Sequence, residues 1–441
     1  MWGDGGGANV LGQPLPHLSS IESMESMESM GVSHMSGVPE DTADSPLRRI
    51  HDAVRVVLKW NADDMLVMDF IVACITGSVW SALVEPMWGI VAGAPGTGKS
   101  EAMRPLLGWP RSLRLDDLTS NSLISGFKPD SPDAGDDEDK SMMRQLDGKI
   151  ILMPDMTSML GKRLDTLTEI MGQLRSAYDG EFSKWSGQRG HQSFKAEFGF
   201  LGACTPTIYD FFKNHQQLGQ RFFLIRMGRR RIAARERRKY ALRVMKAMQD
   251  KRNWRAELDK VVKTEVARLE KWGKRVQDID MCDGFAETLA GLTDVAVNLR
   301  SMPIGKVATA SESNNRFMQQ AVGMTKSRAL ADGRLEVNQI DLDFAARIIH
   351  DTVPPDILRV ARTLYGTPSQ RRISRSLAQI GSLAHVDLST LKPLMTQYTE
   401  NGIVENVTQL EYRYTDDFLE QLEFSGTFAK GAPDGNGCNP S

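Results

Sequence analysis

The chain has 441 residues, of which 41% are hydrophobic and 25% are charged, and its formal net charge at pH 7 is −2. These values are typical of a globular protein with two or three domains, and they exclude a polycation that binds nucleic acid through its overall charge. Any contact with nucleic acid must therefore come from local basic patches. The four cysteines form no CxxC pair, which disfavours a zinc or redox motif and favours a reducing, cytoplasmic setting.

The chain is predicted to begin with a polar tail and then a buried helical segment. Residues 1–45 are rich in Gly, Ser, Met and Pro, which predicts a disordered tail with no signal peptide. Helical spacing of apolar residues begins near Pro46. The stretch from Met65 to Val84 is apolar but contains Asp69 and several small polar residues. It predicts a buried helix, and no membrane contact is expected.

Short apolar strands then alternate with helical segments as far as residue 228. This alternation predicts an α/β fold with a parallel sheet that is covered on both faces. Two short extended runs around Ser186 also predict a β-hairpin. The predicted elements of this core, residues 46–228, are strands at 88–92, 150–153 and 198–204, a hairpin within 182–200, and helices from residue 99 and over 164–178.

The segment GAPGTGKS matches the phosphate-binding pattern G-x-x-x-x-G-K-[ST] in full, between a predicted strand and a predicted helix. Glycines let backbone N–H groups face phosphates, the lysine supplies a point charge and the serine hydroxyl binds Mg²⁺. The positive end of the helix dipole adds to the attraction. The pattern therefore predicts binding of ATP and Mg²⁺ by Gly93, Ala94, Pro95, Gly96, Thr97, Gly98, Lys99 and Ser100, with Glu101 next to them.

The apolar run 150–153 ends in Pro154 and Asp155, which predicts a buried strand with a carboxylate at its end. Asp155 would hold Mg²⁺ through a water, beside the Ser100 hydroxyl, and the alternative is a carboxylate that only caps a turn. Met156 follows, where many ATPases of this type carry a glutamate that orients the attacking water. Glu101 and Glu169 are candidate replacements, and the sequence does not choose between them.

From about Trp88 to Asp351 the chain resembles the AAA+ ATPases. The matching segments are GAPGTGKSE, LTSNSLISGF, ILMPDMTSML, QLRSAYDGEFSKWSG, FGFLGACTPTI and LGQRFFLIRM. Within AAA+ proteins the chain is similar to the group with a hairpin before sensor 1, which includes minichromosome maintenance helicases and MoxR-type ATPases. It looks closer still to uncharacterised ATPases of phages and mobile elements. The resemblance implies a P-loop sheet followed by a helical lid, here residues 229–352.

The resemblance also implies roles for three further residues. Thr205 stands at the sensor 1 position, where asparagine is more usual, and Arg221 stands at the position of an arginine finger that reaches the neighbouring subunit's γ-phosphate. Arg316 matches sensor 2 at the start of a lid helix. With Asp155 these residues form the expected catalytic set. The alternatives are a strand-end hydroxyl for Thr205 and an ordinary surface arginine for Arg221.

The predicted hairpin precedes the sensor 1 strand, and in the resembling helicases such a hairpin contacts the DNA backbone. Its candidate contact residues are cations and a histidine, because contacts with negatively charged phosphates dominate the affinity for DNA. An adjacent tryptophan, Trp185, could stack on a base or could be a packing residue. The basic run at 229–239 fits a solvated helix or subunit interface as well as it fits DNA. The hairpin candidates are Lys184, Arg189, His191 and Lys195, and the alternative is a hairpin that is merely solvated.

Three helical segments and two alternating segments between residues 356 and 424 predict a winged-helix domain. Its recognition helix, residues 388–400, is only mildly basic, so both DNA and protein contacts stay open. Residues 425–441 are rich in Gly and Pro, which predicts a second disordered tail.

These features lead to the hypothesis of an ATP-driven motor that acts on DNA, in particular on single strands through backbone contacts. It would be a replicative helicase or initiator of a phage or mobile element that works as a homo-oligomeric ring, with replication proteins as possible partners. One alternative is a MoxR-like ATPase that remodels proteins. The other is a winged-helix DNA-binding regulator that ATP switches.

Overall fold

The computed structural model gives the fold of most of the chain. Several predicted segments lie outside the described part, among them residues 1–44 of the predicted N-terminal tail and most of the basic run at 229–239. The described residues are 45–58, 60, 62–79, 85–119, 122–123, 142–186, 190–214, 221–228, 238, 242, 245, 251–300, 314–367, 370, 372–408 and 410–428.

A five-stranded parallel sheet forms the centre of the fold, in the order β2-β3-β6-β1-β7. The apolar runs of β1, β3 and β6 are buried along their whole length, as expected for strands covered on both faces. This confirms the predicted α/β class with a parallel sheet. The sheet strands are β1 (Trp88–Gly93), β2 (Ser112–Arg114), β3 (Ile150–Met153), β6 (Gly199–Cys204) and β7 (Phe222–Met227), and β4 (Glu181–Ser186) and β5 (Gly190–Lys195) form a separate antiparallel hairpin.

Helices cover the sheet. The helices described up to residue 214 are α1 (Pro46–Leu58), α2 (Ala62–Val79), α3 (Lys99–Met103), α4 (Met143–Leu146), α5 (Thr157–Leu160), α6 (Leu164–Tyr178) and α7 (Thr207–Asn214). The predicted buried helix is present as α2, whose apolar residues pack in the core beside the sheet. Among the described residues, no helix combines the length and apolar character needed to cross a membrane.

In the region predicted as a lid, the described residues form four long helices, which are α8 (Lys251–Trp272), α9 (Asp283–Arg300), α10 (Asn315–Ala331) and α11 (Gln339–Thr352). They share one hydrophobic core with α2 and one face of the sheet. Buried ion pairs lie within this layer: Arg328 of α10 bonds Asp69 of α2 and Asp341 of α11, at 3.0 and 2.7 Å. At the edge of the sheet, Asp351 of α11 accepts the backbone N–H of Arg226 in β7 at 2.8 Å. These helices therefore form a packed layer against the sheet.

The C-terminal part contains the three predicted helices and the two predicted strands, with one further strand and one further helix. Ser376 caps its second helix by accepting the N–H of Gln379, a capping box. The three strands form an antiparallel sheet in the order β8-β10-β9. The elements are α12 (Pro355–Tyr365), β8 (Arg375–Ser376), α13 (Leu377–Ala384), α14 (Leu388–Glu400), β9 (Val404–Thr408), β10 (Glu411–Tyr414) and α15 (Asp416–Ser425).

The predicted C-terminal tail is described only as far as residue 428. Ser425 ends α15, and the ring of Phe428 lies 5.2 Å from that of Tyr365. Residues 425–428 thus contact the C-terminal helices, and residues 429–441 lie outside the described part.

Candidate phosphate-binding site

The loop between β1 and α3 adopts backbone angles that require its glycines. Gly96 and Gly98 have φ angles of 77° and 101°, in the left-handed region that glycine occupies without strain. A Cβ on Gly93 would lie 2.7 Å from the carbonyl oxygen of Met227, so only glycine fits where β1 meets β7. The loop therefore lies at the carboxyl end of the sheet and leads directly into α3. Open α/β sheets bind ligands at this edge.

Lys99, the first residue of α3, is half-buried inside this loop. Its Nζ donates to the carbonyl oxygens of Gly93 and Ala94 at 2.7 and 3.0 Å. Burial lowers the pKa of Lys99 from its ordinary value, and the Cys204 thiol and Asp155 carboxyl oppose that shift. The ammonium is thus held within the loop that phosphates would enter, ready to exchange carbonyl partners for phosphate oxygens.

Ser100 and Asp155 lie side by side at the same edge. Ser100 Oγ donates to the carbonyl oxygen of Pro154 at 3.0 Å, which joins the start of α3 to the end of β3. The exposed Asp155 carboxylate accepts the N–H of Thr157 at 2.9 Å. Hydrogen bonds from Thr157 hold the pKa of Asp155 below its ordinary value, and Lys99 adds to this effect. A hydroxyl and an ionised carboxylate are oxygen ligands of the kind that Mg²⁺ takes, so the residues fit the predicted metal.

Thr205 completes the group. It follows β6, the strand between β3 and β1, so it lies between Asp155 and the loop. Its Oγ1 is 2.7 Å from Oγ1 of Thr207, at the start of α7. Burial raises the pKa of the preceding Cys204 thiol to about 12, which keeps it neutral. The sheet thus brings together Lys99, Ser100, Asp155 and Thr205 from three separate stretches of the chain.

Neither position 156 nor Glu101 presents a free base at this edge. Met156 is buried, and a Cβ on Gly202 would lie 2.3 Å from its sulfur, so side chain 156 fills the space beside that glycine. Glu101 is bound by Arg255 of α8 and by Arg104, at 3.1 and 3.2 Å. Glu169 is exposed on α6. A glutamate at position 156 would therefore enter the core, and Glu101 would have to leave two arginines before it could act.

Arg221 and Arg316 lie together at the opposite edge of the sheet. Arg221 precedes β7, level with Trp88 at the start of β1, and its side chain is only 7% exposed. Its guanidinium lies 3.1 Å from the carboxylate of Asp179. The Arg316 side chain is 36% exposed and contacts Asp179 and Glu85, at 3.6 and 3.3 Å. Both guanidinium groups lie over the ring of Tyr178. The interpretation of Arg221 as an ordinary surface arginine is wrong, because the side chain is buried and paired.

Two residues at these edges of the sheet, Trp60 and Asp179, belong to no sequence motif. Trp60 lies between α1 and α2, and its indole would be 3.6 Å from a Cβ on Gly98, so it borders the loop. Asp179 follows α6 and binds both arginines of the opposite edge. Each is an isolated residue whose position depends on how distant elements pack.

Comparison of the chain with models of known protein families and with curated proteins gave no match.

Replacing Asp155 by asparagine is expected to lower Mg²⁺-dependent ATP turnover by about 10–100-fold, the range found when groups around a bound metal are changed. The asparagine keeps an oxygen that can accept the N–H of Thr157, so the unfolding temperature should not change. Turnover measured across a range of Mg²⁺ concentrations tests this. A normal rate would show that Asp155 is only a capping residue.

Proposed function

We propose that this chain is an ATPase of the AAA+ type that works as a ring motor on DNA. The observation that most supports this proposal is that the charged groups are divided between two edges of one sheet. The groups that fit phosphate and Mg²⁺ lie at the carboxyl edge, and two arginines lie at the amino edge. A single chain cannot bring the two sets to one ligand without rearranging its core.

The distance between the two edges follows from the length of β1. Trp88 and Gly93 are five residues apart, and strands rise by about 3.3 Å per residue, so the edges are about 17 Å apart. Tyr178, which lies under both guanidinium groups, contacts Trp88 at a ring distance of 5.0 Å. The arginines therefore serve a phosphate only if it belongs to a neighbouring copy. This supports a homo-oligomer with composite sites, in which Lys99, Ser100 and Asp155 bind ATP-Mg²⁺ and the arginines act from the next subunit.

Arg316 is better placed than Arg221 to reach a neighbour, because more than a third of its side chain is exposed. Both arginines are paired, Arg316 with Glu85 and Asp179 and Arg221 with Asp179, but only the Arg221 side chain is also buried. We propose that Arg316 contacts the neighbour's phosphate first, and that Arg221 contacts it once Asp179 has moved. Arginine suits this role because its fork binds phosphate oxygens in pairs.

The hairpin β4–β5 starts at this same amino edge. Asp179 lies two residues before β4 and is shared by the two arginines. If a neighbour's phosphate competes for the arginines, Asp179 loses its partners and the foot of the hairpin is freed. A direct link between the composite site and the hairpin follows from this geometry. It would let ATP turnover move the hairpin.

The described part of the hairpin supports contact with single-stranded DNA. Trp185 is 74% exposed, and its ring lies 6.3 Å from that of His191, so the packing interpretation of Trp185 is wrong. Exposed aromatic rings stack on bases without regard to sequence. Lys195 forms an ion pair with Glu181 at the base of the hairpin. The side chain of Lys184 and the whole of Arg189 lie outside the described part, so their DNA contacts stay predictions.

The C-terminal part fits a protein contact better than a DNA contact. Its order of helices and strands supports a winged-helix fold. Residues 355–428 carry seven Lys and Arg residues against nine Asp and Glu residues, a net charge of −2. The exposed positions of α14 include one cation, Lys392, together with Leu388 and Pro393. Phosphate contacts need positive charge, so we assign DNA binding to the hairpin and leave the C-terminal part for partner proteins.

A second function is favoured by one observation, the buried Met156. With methionine in place of a glutamate after Asp155, and with Glu101 held by two arginines, ATP binding alone could switch the assembly of a DNA-binding regulator. Measured turnover separates the two functions, because a motor must hydrolyse ATP and a switch need only bind it.

Replacing Trp185 by alanine is expected to weaken binding of single-stranded DNA by about tenfold, since stacking contributes about 1–3 kcal/mol per base. The exposed indole supports no core, so the unfolding temperature should stay the same. Fluorescence anisotropy of a labelled oligonucleotide gives the affinity. Trp272→Ala, a partly exposed tryptophan at the end of α8, is the matched control.

A companion measurement separates stacking from phosphate contact. Replacing Lys184 and Arg189 together by alanine should reduce the salt slope of binding by about 1.4 units for single strands. The Trp185 variant should keep the slope of the parent. If both variants bind like the parent, the hairpin is not the DNA element and a MoxR-like action on proteins becomes the better account.

A further inference from the structure

A cavity of about 600 Å³ lies between α2, α9, α11, α12 and the end of α15, outside the phosphate site. Small-molecule sites commonly span about 300–1,000 Å³ and are mostly apolar with a few placed polar groups. Most of the wall fits that description, since it is formed by aliphatic side chains that include Leu66, Leu292, Val295, Leu299 and Leu358.

The polar part of the wall comes mainly from α11. Arg347 and His350 both line the cavity and stand three residues apart, so they lie on one face of the helix. Arg347 Nε donates to Asp351 at 3.0 Å. Its two terminal nitrogens have no hydrogen-bond partner within the described residues. The cavity therefore contains donors that the fold itself leaves unused.

The charge around Arg347 is not balanced. The fully buried Asp351 carboxylate is shared by Arg347 and by Arg226, whose side chains are 17% and 12% exposed. Burial lowers the pKa of His350, which keeps this imidazole neutral. Two cations thus share one buried anion, so one positive charge has no carboxylate partner among the described residues.

The other charged groups of the wall do not supply the missing anion. Arg328 is a cation, and its own charge is already balanced by Asp69 and Asp341. Asp343 lies exposed at the rim, where it accepts the side-chain amide of Gln339 at 2.8 Å. One further negative charge at the terminal nitrogens of Arg347 would balance the cluster.

We propose that this cavity binds a small amphipathic monocarboxylic acid, with its apolar body between α9 and α12 and its carboxylate on Arg347. The volume limits the ligand to one chain or ring system, and the single excess positive charge selects one carboxylate. The inference does not depend on ATP, because the cavity and the phosphate-binding loop are formed by different elements.

Isothermal titration calorimetry of the full chain with octanoate, decanoate and phenylacetate tests this proposal. At least one acid should bind, with one molecule per chain. Arg347→Gln should weaken that binding about tenfold or more, because a charge-assisted contact is lost. Decanol, which lacks the carboxylate, should bind the parent and the variant equally, and this control shows that the variant's cavity is intact. Arg347→Lys should restore part of the affinity.

Variants that fill the cavity test the proposal independently. Ala296→Phe and Leu292→Trp place larger rings at its lining and should abolish binding of both the acids and decanol. Thermal unfolding shows which of the two variants keeps the fold. The proposal is overturned if none of the acids binds the parent, if Arg347→Gln keeps full affinity for them, or if a folded filled variant binds like the parent.

Discussion

Arg316→Ala is expected to lower ATP turnover by about a thousandfold, the lower end of the effect of an arginine that acts in trans on a phosphoryl group. The affinity of the chain for ATP should change little, because Arg316 lies at the amino edge of the sheet, away from Lys99 and Ser100. Its partly exposed side chain also contributes little to the core. The unfolding temperature should therefore stay near that of the parent.

Arg221→Ala should reduce turnover as well, but with a different signature. The guanidinium is buried over Tyr178 and paired with Asp179, so its loss leaves Asp179 with Arg316 alone and should also lower the unfolding temperature. Arg316→Lys is the conservative control for the exposed arginine. It keeps the charge but not the fork, and should retain only part of the activity. Arg372→Ala, an exposed arginine of the C-terminal part, should change nothing in turnover without DNA.

Mixing variants tests whether the site is composite. Arg316→Ala and Lys99→Ala should each turn over ATP far more slowly than the parent when measured alone. An equimolar mixture should recover part of the parental rate, because some interfaces then combine an intact loop from one parent with an intact arginine from the other. A fully active chain that stays monomeric with ATP would refute the assignment of either arginine to a neighbouring site.

Lys99→Ala is expected to weaken ATP binding by about a hundredfold, since two or more charge-assisted hydrogen bonds to phosphate are lost. The variant also loses the bonds from Nζ to the carbonyl oxygens of Gly93 and Ala94. The strand before the loop is held by its neighbours on both sides, so the fold should survive. Equilibrium binding of a fluorescent ATP analogue provides the measurement.

Lys274→Ala serves as the control, because Lys274 is exposed beyond the end of α8. Trp60 offers a second signal, since its indole borders Gly98 and its fluorescence should respond when nucleotide enters the loop. Lys99→Ala should remove that response at nucleotide concentrations that saturate the parent. If the folded variant binds ATP like the parent, the loop is not the phosphate site.

Local patterns were enough to predict one edge of the sheet. Glycines at positions that require a positive φ, a lysine and a serine in fixed spacing, and a carboxylate after a buried strand are all readable from the sequence. The parallel sheet follows from alternating strands and helices. Local patterns do not predict two of its strands, β2, which has only three residues, and β7, whose apolar residues directly follow Arg221.

The other edge could not be predicted, because it depends on packing between distant parts of the chain. Asp179 meets Arg221 and Arg316 only after α6, β7 and α10 have been placed around Trp88 and Tyr178. The exposure of Trp185 likewise depends on where the hairpin ends up. The long helices after residue 250 have charged faces typical of a lid, yet their apolar faces join the core of the sheet.

The rate of ATP hydrolysis by the purified full chain, with and without single-stranded DNA, tests the proposed motor most directly. The account predicts Mg²⁺-dependent hydrolysis that rises several-fold with a single-stranded oligonucleotide, is abolished by Lys99→Ala, and loses most of its DNA response in Trp185→Ala. Hydrolysis that is indifferent to DNA would contradict a DNA motor and favour an ATPase that acts on proteins. Tight ATP binding without hydrolysis would contradict any motor and favour the ATP-switched regulator.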